Sequence, residues 1–235
     1  MPSKFKLDLT PHGHIQIERV TNGPIETNTY FAMSAGECVV IDPAWEGEEL
    51  ARGFAERHPD VKIIAIACTH GHADHVGGVA GMRRVLGDGV PFLISREDLP
   101  IVADSIASQK ASWGIDTPDP GEPTRFIGEG DVISFGDTGL QVFSTPGHTP
   151  GGLVFFCAAE NGDEAFVGDT LFPGEHGRTD LKGGDQETIE RSLAKIGKLL
   201  PPDTRCMIGH GPDTTIEREL RDNLFMRLSI KHGLW

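Results

Sequence analysis

The chain has 235 residues, of which 38% are hydrophobic and 24% charged, with a formal net charge of −14. That length suffices for one sizeable core or a pair of packed sheets, and the composition is that of a globular protein. The negative charge argues against nucleic acid and anionic membranes as partners, and no apolar run approaches the ~20 residues a bilayer span needs.

In chain order, Met1–Asp8 lacks the apolar core and cleavage site of a signal peptide. Ile15–Val20 alternates like a half-buried strand. Tyr30–Met33 and Cys38–Asp42 read as strands joined by a turn at Ser34–Glu37, and a helix reads from Glu46 to Arg57. Val61–Cys68 is a continuous apolar run, a buried strand. Val76–Leu86 reads as a helix with a Gly-rich start, and Val90–Ile94 as a further strand. Glu97–Arg125 is long between strands and holds Trp113 in a Pro- and Gly-rich stretch, either a helical insertion that shapes a pocket or a covering loop. Substrate identity is expected there, because binding residues concentrate on such connections. Strands recur at Val132–Phe135, Leu140–Ser144, Leu153–Cys157 and Ala165–Val167. A helix follows from Gln186 to Leu200 with Asp185 as its N-cap. A strand at Arg205–Ile208 and a helix from Thr215 to Arg227 close the chain. Strand-rich halves, each closed by helices, suit two sheets packed face to face with helices outside. Cys38, Cys68, Cys157 and Cys206 lie in or at the end of apolar runs without metal or redox spacing, so they read as buried reduced thiols. These features point to a cytoplasmic protein.

Between the strand ending at Cys68 and the helix starting at Val76 lies Thr69-His70-Gly71-His72-Ala73-Asp74-His75. Three imidazoles and a carboxylate fall within six positions. His70, His72 and Asp74 alternate, so an extended backbone would point them one way and turn His75 the other. Nitrogen and oxygen ligands of this kind suit zinc, iron or manganese. Three more candidates stand one or a few residues past apolar strands and beside glycine. They are His148 in Pro146-Gly147-His148, Asp169 in Gly168-Asp169-Thr170, and His210 in Gly209-His210-Gly211. One metal ion uses about four ligands, so seven candidates suit two ions.

These motifs, His-x-His-x-Asp-His, Pro-Gly-His, Gly-Asp-Thr and Gly-His-Gly in that order, resemble the metallo-β-lactamase-fold hydrolases over about Ile15 to Asn223. The nearest subgroup is the glyoxalase-II-like hydrolases, relatives of hydroxyacylglutathione hydrolase. Glu26-Thr27-Asn28-Thr29-Tyr30, Gly177-Arg178-Thr179-Asp180-Leu181 and Gly211-Pro212-Asp213-Thr214-Thr215-Ile216 support the likeness. The resemblance implies an α/β fold, the αβ/βα four-layer sandwich of two mixed β-sheets flanked by helices. It implies one domain over 1–235, with the 97–125 segment inserted and without the separate C-terminal helical domain of full glyoxalase II. It places His70, His72 and His148 on a first divalent ion, Asp74, His75 and His210 on a second, and Asp169 between them. Zinc is the leading metal, with iron and manganese as alternatives.

By the same likeness, two cations sharing Asp169 activate a bridging hydroxide that Asp74 orients, with no protein base needed. A thiolate leaves readily, which fits a chain without a Ser-His-Asp or Cys-His nucleophile pair. The function this implies is a thioesterase acting on a small-molecule thioester such as an acylated glutathione. Rival chemistries on the fold are a mononuclear iron persulfide dioxygenase, using His70, His148 and Asp169, and a lactonase. The lactonase lacks a substrate tyrosine here, since Tyr30 is the sole tyrosine. β-Lactamase subgroups lack an aspartate at the place of Asp169, and a tRNA nuclease should carry a basic arm. Asp42 reads either as a residue that orients the ligand loop or as turn chemistry. His12, His14, His58 and His232 read as surface imidazoles. His176 follows Asp169 closely enough to face a substrate, and Arg178 and Asp180 read as fixing their loop. Arg218, Arg221, Arg227 and Lys231 read as a solvated helix face.

Overall fold

Continuous apolar runs make strands that must be covered on both faces, and the chain builds two six-stranded mixed sheets from them. The structure, a computed structural model, describes residues 7–87 and 89–234. Most of the segment read above for a leader, residues 1–6, therefore lies outside the described residues. The first half supplies β1 (Gln16–Asn22), β2 (Thr27–Ser34), β3 (Glu37–Ile41), α1 (Gly47–Arg57), β4 (Lys62–Ala67), α2 (Ala73–Val76), α3 (Val79–Leu86), β5 (Phe92–Ile94), α4 (Leu99–Trp113) and β6 (Arg125–Phe126). The second half supplies β7 (Val132–Phe135), β8 (Thr138–Ser144), β9 (Leu153–Ala159), β10 (Gly162–Gly168), α5 (Gln186–Leu199), β11 (Arg205–Ile208), β12 (Thr214–Thr215), α6 (Ile216–Asp222) and α7 (Leu224–Lys231).

The first sheet runs β1 to β6 in order, antiparallel through β3 and parallel from β3 onward. The second runs β12-β11-β10-β9-β8-β7, antiparallel except for the parallel β10–β11 pair. Side chains alternate across a strand, and the alternation sorts the core into three layers. Tyr30, Ala32, Val39, Ile41, Leu140, Val142, Phe155 and Phe166 meet between the sheets. Phe31, Cys38, Val40 and Ile66 face outward onto Leu50 and Phe54 of α1 and Met82 of α3. Phe143, Val154, Phe156 and Ile208 face the other way, onto Leu193 and Ile196 of α5 and Met226 of α7. Three apolar layers separate four layers of structure, the expected αβ/βα sandwich. All four cysteines are buried and unpaired. No described helix is long and apolar enough to cross a membrane.

Two of the expected helices are divided in the fold. The helix expected from Val76 is two pieces, and the first, α2, begins at Ala73 inside the histidine motif. His72 is its N-cap, in extended conformation, with His75 N–H and Val76 N–H donating to His72 O. Asp74 and His75 therefore ride on a helical turn, so the extended alternation stops at His72. The last expected helix divides at Asn223, which ends α6 and caps α7 by accepting from Met226 N–H. The 97–125 segment, for which the sequence left a helical insertion or a covering loop open, contains α4, a four-turn helix.

Candidate metal centre

Four strand ends converge at one edge of the sandwich. The loop after β4 carries His70 and His72 and leads into α2 with Asp74 and His75. The loops after β8, β10 and β11 carry His148, Asp169 and His210. Their ligand atoms form three overlapping groups: His70/His72/His148, His70/His75/Asp169 and Asp74/His75/His210. Within each group the atoms lie within 4.8 Å of one another. His70 Nε2 is 3.1 Å from His72 Nδ1. His210 Nε2 and His75 Nε2 each stand 3.2 Å from Asp74 Oδ2. Asp169 faces both sides, with Oδ1 3.4 Å from His75 Nε2, and Oδ2 3.6 Å from both His148 Nε2 and His210 Nε2. All seven candidates from the sequence are thus brought together.

The remaining nitrogen of most of these rings is fixed by an oxygen, which sets the ring's orientation. His70 Nδ1 meets Thr69 Oγ1 at 3.1 Å, and that hydroxyl donates to Asp42 Oδ2 at 2.7 Å. His75 Nδ1 meets Asp42 Oδ2 at 3.0 Å. His148 Nδ1 meets the Arg178 carbonyl at 2.7 Å, and His210 Nδ1 the Ile25 carbonyl at 3.1 Å. Asp42 also accepts from Thr69 N–H at 2.7 Å and adopts a left-handed φ of 50°. Its two sequence readings both hold: it turns the chain and it aims the ligand loop. Close approach explains the glycine of the Gly-His-Gly run, since a Cβ on Gly209 would collide with Asp169 Oδ1.

The electrostatics favour a cation. Burial holds the His72 imidazole down to about 4 and His70 well below its ordinary range, so both present lone pairs at neutral pH. Burial opposes charge on His75, but Asp74, Asp169 and Asp42 around it push its pKa well up. Burial would raise the Asp74 carboxyl, yet His75 and His210 hold it well below the usual carboxylate range. Among the buried polar atoms without a hydrogen-bond partner are His148 Nε2 and Asp169 Oδ1. Such orphans are rare in folded proteins. The lone pairs of His70 and His72, the ionised Asp74 carboxyl and two inward-facing orphan acceptors suit a divalent ion, and the positive charge that the aspartates draw onto His75 shows that the cluster calls for a cation.

Two sets of supporting residues were not assigned roles by sequence reasoning. The run Thr27-Asn28-Thr29-Tyr30 had served only as a family marker, yet each side chain makes a contact that builds the site. Thr27 Oγ1 lies 3.3 Å from Asp74 Oδ2, and Asn28 Nδ2 donates to the carbonyls of Ile208 and Gly211 on either side of His210. Thr29 Oγ1 donates to Asp42 O, and Tyr30 Oη donates to Ile208 O. Tyr30 is therefore committed to the core. Asp98 was missed altogether. It is fully buried and accepts from Gly71 N–H at 2.7 Å, Thr149 Oγ1 at 2.8 Å and Gly151 N–H at 2.6 Å, tying the His70 loop to the His148 loop.

Above the ligand cluster opens a cavity of about 630 Å³, lined by His72, Asp74, His148, Asp169 and His210 below and by α4 and the loop around Leu181 at the sides. Arg178 lines it while forming a bidentate pair with Asp180, so its loop-fixing role and its carbonyl bond to His148 coincide. His176 turns from the cavity to Gln186 and to the edge of Phe225. His12, His14 and His232 are exposed as expected, but His58 is half-buried and paired with Glu18 at 2.7 Å. Arg218, Arg221, Arg227 and Lys231 are exposed.

The Metallo-beta-lactamase superfamily model matches residues 22–210. The chain is 35% identical to hydroxyacylglutathione hydrolase GloC of Haemophilus influenzae, over 80% of this chain and 86% of that protein. It is 33% identical to probable metallo-hydrolase YqgX of Bacillus subtilis, over 88% of this chain and 96% of that one. Among solved structures, TTHA1623 in a di-iron-bound form superposes with a TM-score of 0.78 at 38% identity, covering 88% of this chain and 99% of that chain.

Proposed function

The chain belongs to the metallo-beta-lactamase superfamily, and from that premise we propose that it is a glyoxalase-II-like hydrolase cleaving acyl-glutathione-like thioesters at a binuclear metal centre. The observation that carries this reading is the position of Asp169, whose carboxylate faces His75, His148 and His210 at once. His70, His72 and His148 would hold one ion and Asp74, His75 and His210 the other, with Asp169 shared. Bound divalent cations, with zinc first and iron or manganese as alternatives, supply Lewis acidity and lower the pKa of water from ~15.7 towards ~7.

The chain's own groups do the rest. Asp74 lines the cavity and its carboxyl is held well below the usual carboxylate range, so it can accept a hydrogen bond from the attacking water or hydroxide and aim it. Asp42, Thr69, Arg178 and Ile25 hold the imidazoles so that their free nitrogens point inward. The cysteines are buried away from the cavity, which leaves no protein thiol as nucleophile. A thiolate leaving group needs little acid assistance, in keeping with a cavity floor of aspartates and histidines. The GloC likeness supports a thioester of glutathione as substrate.

The test is thiol release. Metal-loaded protein should liberate free thiol from S-lactoylglutathione and should consume no oxygen with glutathione persulfide. Oxygen uptake by the iron-loaded protein without thioester turnover would replace this reading with a persulfide dioxygenase.

A further inference from the structure

The cavity is much longer than a thioester bond. Its side wall is one face of α4, carrying Ile101, Ser105, Ser108, Gln109, Ser112 and Trp113. From Ser105 these positions follow i, i+3, i+4, i+7 and i+8, the spacing of a single helix face. Ser105 stands at the metal end, where its Oγ accepts from Ala73 N–H at 2.9 Å, the first residue of α2. Trp113 lies eight positions on, about 12 Å along the axis at ~1.5 Å per residue. An extended amide chain covers that distance in three or four units at ~3.3–3.6 Å each.

The chemistry changes along the wall. Gln109 is buried and engaged by Thr117, but Ser108 and Ser112 present exposed hydroxyls. A hydroxyl both donates and accepts, so it can serve either side of an amide. Trp113 is 57% exposed and Leu181, which also lines the cavity, 40%. Large apolar side chains at the mouth of a cavity with convergent polar groups mark a place where a ligand sits. The opposite rim lies close against α4 and the His148 loop. Lys182 pairs with Asp104 of α4, and Gly183 lies so close to Pro150 that a Cβ there would approach Pro150 Cδ to 2.7 Å. At the cavity floor, His148 Nε2 is buried and without a hydrogen-bond partner.

Resting on the thioesterase reading, we propose that this face of α4 holds the thiol carrier of the substrate as an extended, amide-bearing arm. Ser108 and Ser112 hydrogen-bond its amides, and Trp113 with Leu181 packs on its far end. The site therefore selects thioesters of a peptide-like thiol over those of a small one. Glutathione and pantetheine share that chemistry.

The experiment compares S-lactoylglutathione, S-acetylpantetheine and ethyl thioacetate, which has no amide arm. For the wild type, kcat/KM should favour one of the armed substrates, and the favoured one identifies the carrier. In Ser108→Ala/Ser112→Ala and in Trp113→Ala, that preference over ethyl thioacetate should fall about tenfold, through KM. Trp113→Phe should restore most of it. An unchanged preference, or equal loss on all three substrates, overturns the proposal. Calorimetry with uncleavable S-methylglutathione and S-methylpantetheine separates this from the reaction itself. Binding to the wild type that the double serine variant weakens supports the α4 wall even if no thioester is cleaved, an outcome that would remove the thioesterase reading alone. Thioester turnover with thioether binding indifferent to both variants would remove the wall alone.

Discussion

The floor of the cavity and its α4 wall are built on opposite principles. On the floor, His70, His72, Asp74, His75 and His148 are buried, and the outer nitrogens of His70, His75, His148 and His210 meet oxygens of Thr69, Asp42, Arg178 and Ile25. On the wall, Ser108, Ser112 and Trp113 are exposed, and the rim is held by an exposed Lys182–Asp104 pair. Chemistry at a metal tolerates little displacement of its ligands, so the floor is over-determined by strand ends and buried hydrogen bonds. Recognition of a carrier tolerates variation, so the wall is a helix face whose side chains can change without disturbing the core.

Mutations should break this contrast in a graded way. The largest effect is expected at Asp74, which faces both His75 and His210 and lines the cavity. Asp74→Asn keeps the shape but removes the charge that draws a second cation and the acceptor oxygen that aims the nucleophile. Its kcat should fall by at least ~10²-fold, with lower metal content and an unaltered fold by circular dichroism. Near-normal turnover would place nucleophile orientation elsewhere. Next comes Asp42→Asn, which weakens the anionic partner of His75 and Thr69. Metal affinity, measured by competition with a chromophoric chelator, should drop ~10–100-fold.

Asp98→Asn acts on stability rather than chemistry. It replaces a buried acceptor of three hydrogen bonds with a group that must turn an N–H₂ toward a donor. Urea unfolding should show a loss of about 2 kcal/mol, and no loss would mean the two ligand loops are joined by other contacts. The smallest effect belongs to the rim. Lys182→Ala breaks an exposed ion pair and should change unfolding stability by less than about 0.5 kcal/mol. A larger change would show that the wall is as constrained as the floor.

The same contrast explains what could be read from the sequence. The seven floor residues were legible because four of them crowd into His70–His75 just past an apolar strand and the other three, His148, Asp169 and His210, each follow an apolar strand beside glycine, a pattern with few other physical causes. The sheets were legible because Tyr30–Met33, Leu140–Ser144 and Leu153–Cys157 are apolar over their length. Asp98 was not, because an aspartate before Leu99-Pro100 looks like a helix cap. In the fold its carboxylate makes no cap and turns to Gly71 and Gly151 instead. The helical turn at Asp74 was not legible because alternation leaves an extended chain open, whereas His72 O accepts from His75 N–H and starts a helical turn. β6 and β12 have two residues each, too few to show any period. The break at Asn223 depends on one side chain accepting from Met226 N–H while donating to Glu219 and Glu175, which spacing does not reveal.

The central claim is that Asp169 joins two ligand groups into one binuclear floor. Elemental analysis of protein purified without chelator and supplemented with zinc, iron or manganese tests it most directly. Two metal ions per chain are predicted, falling towards one in Asp74→Asn. Saturation of the wild type at a single ion would contradict the account, because the Asp74, His75 and His210 group would then hold none.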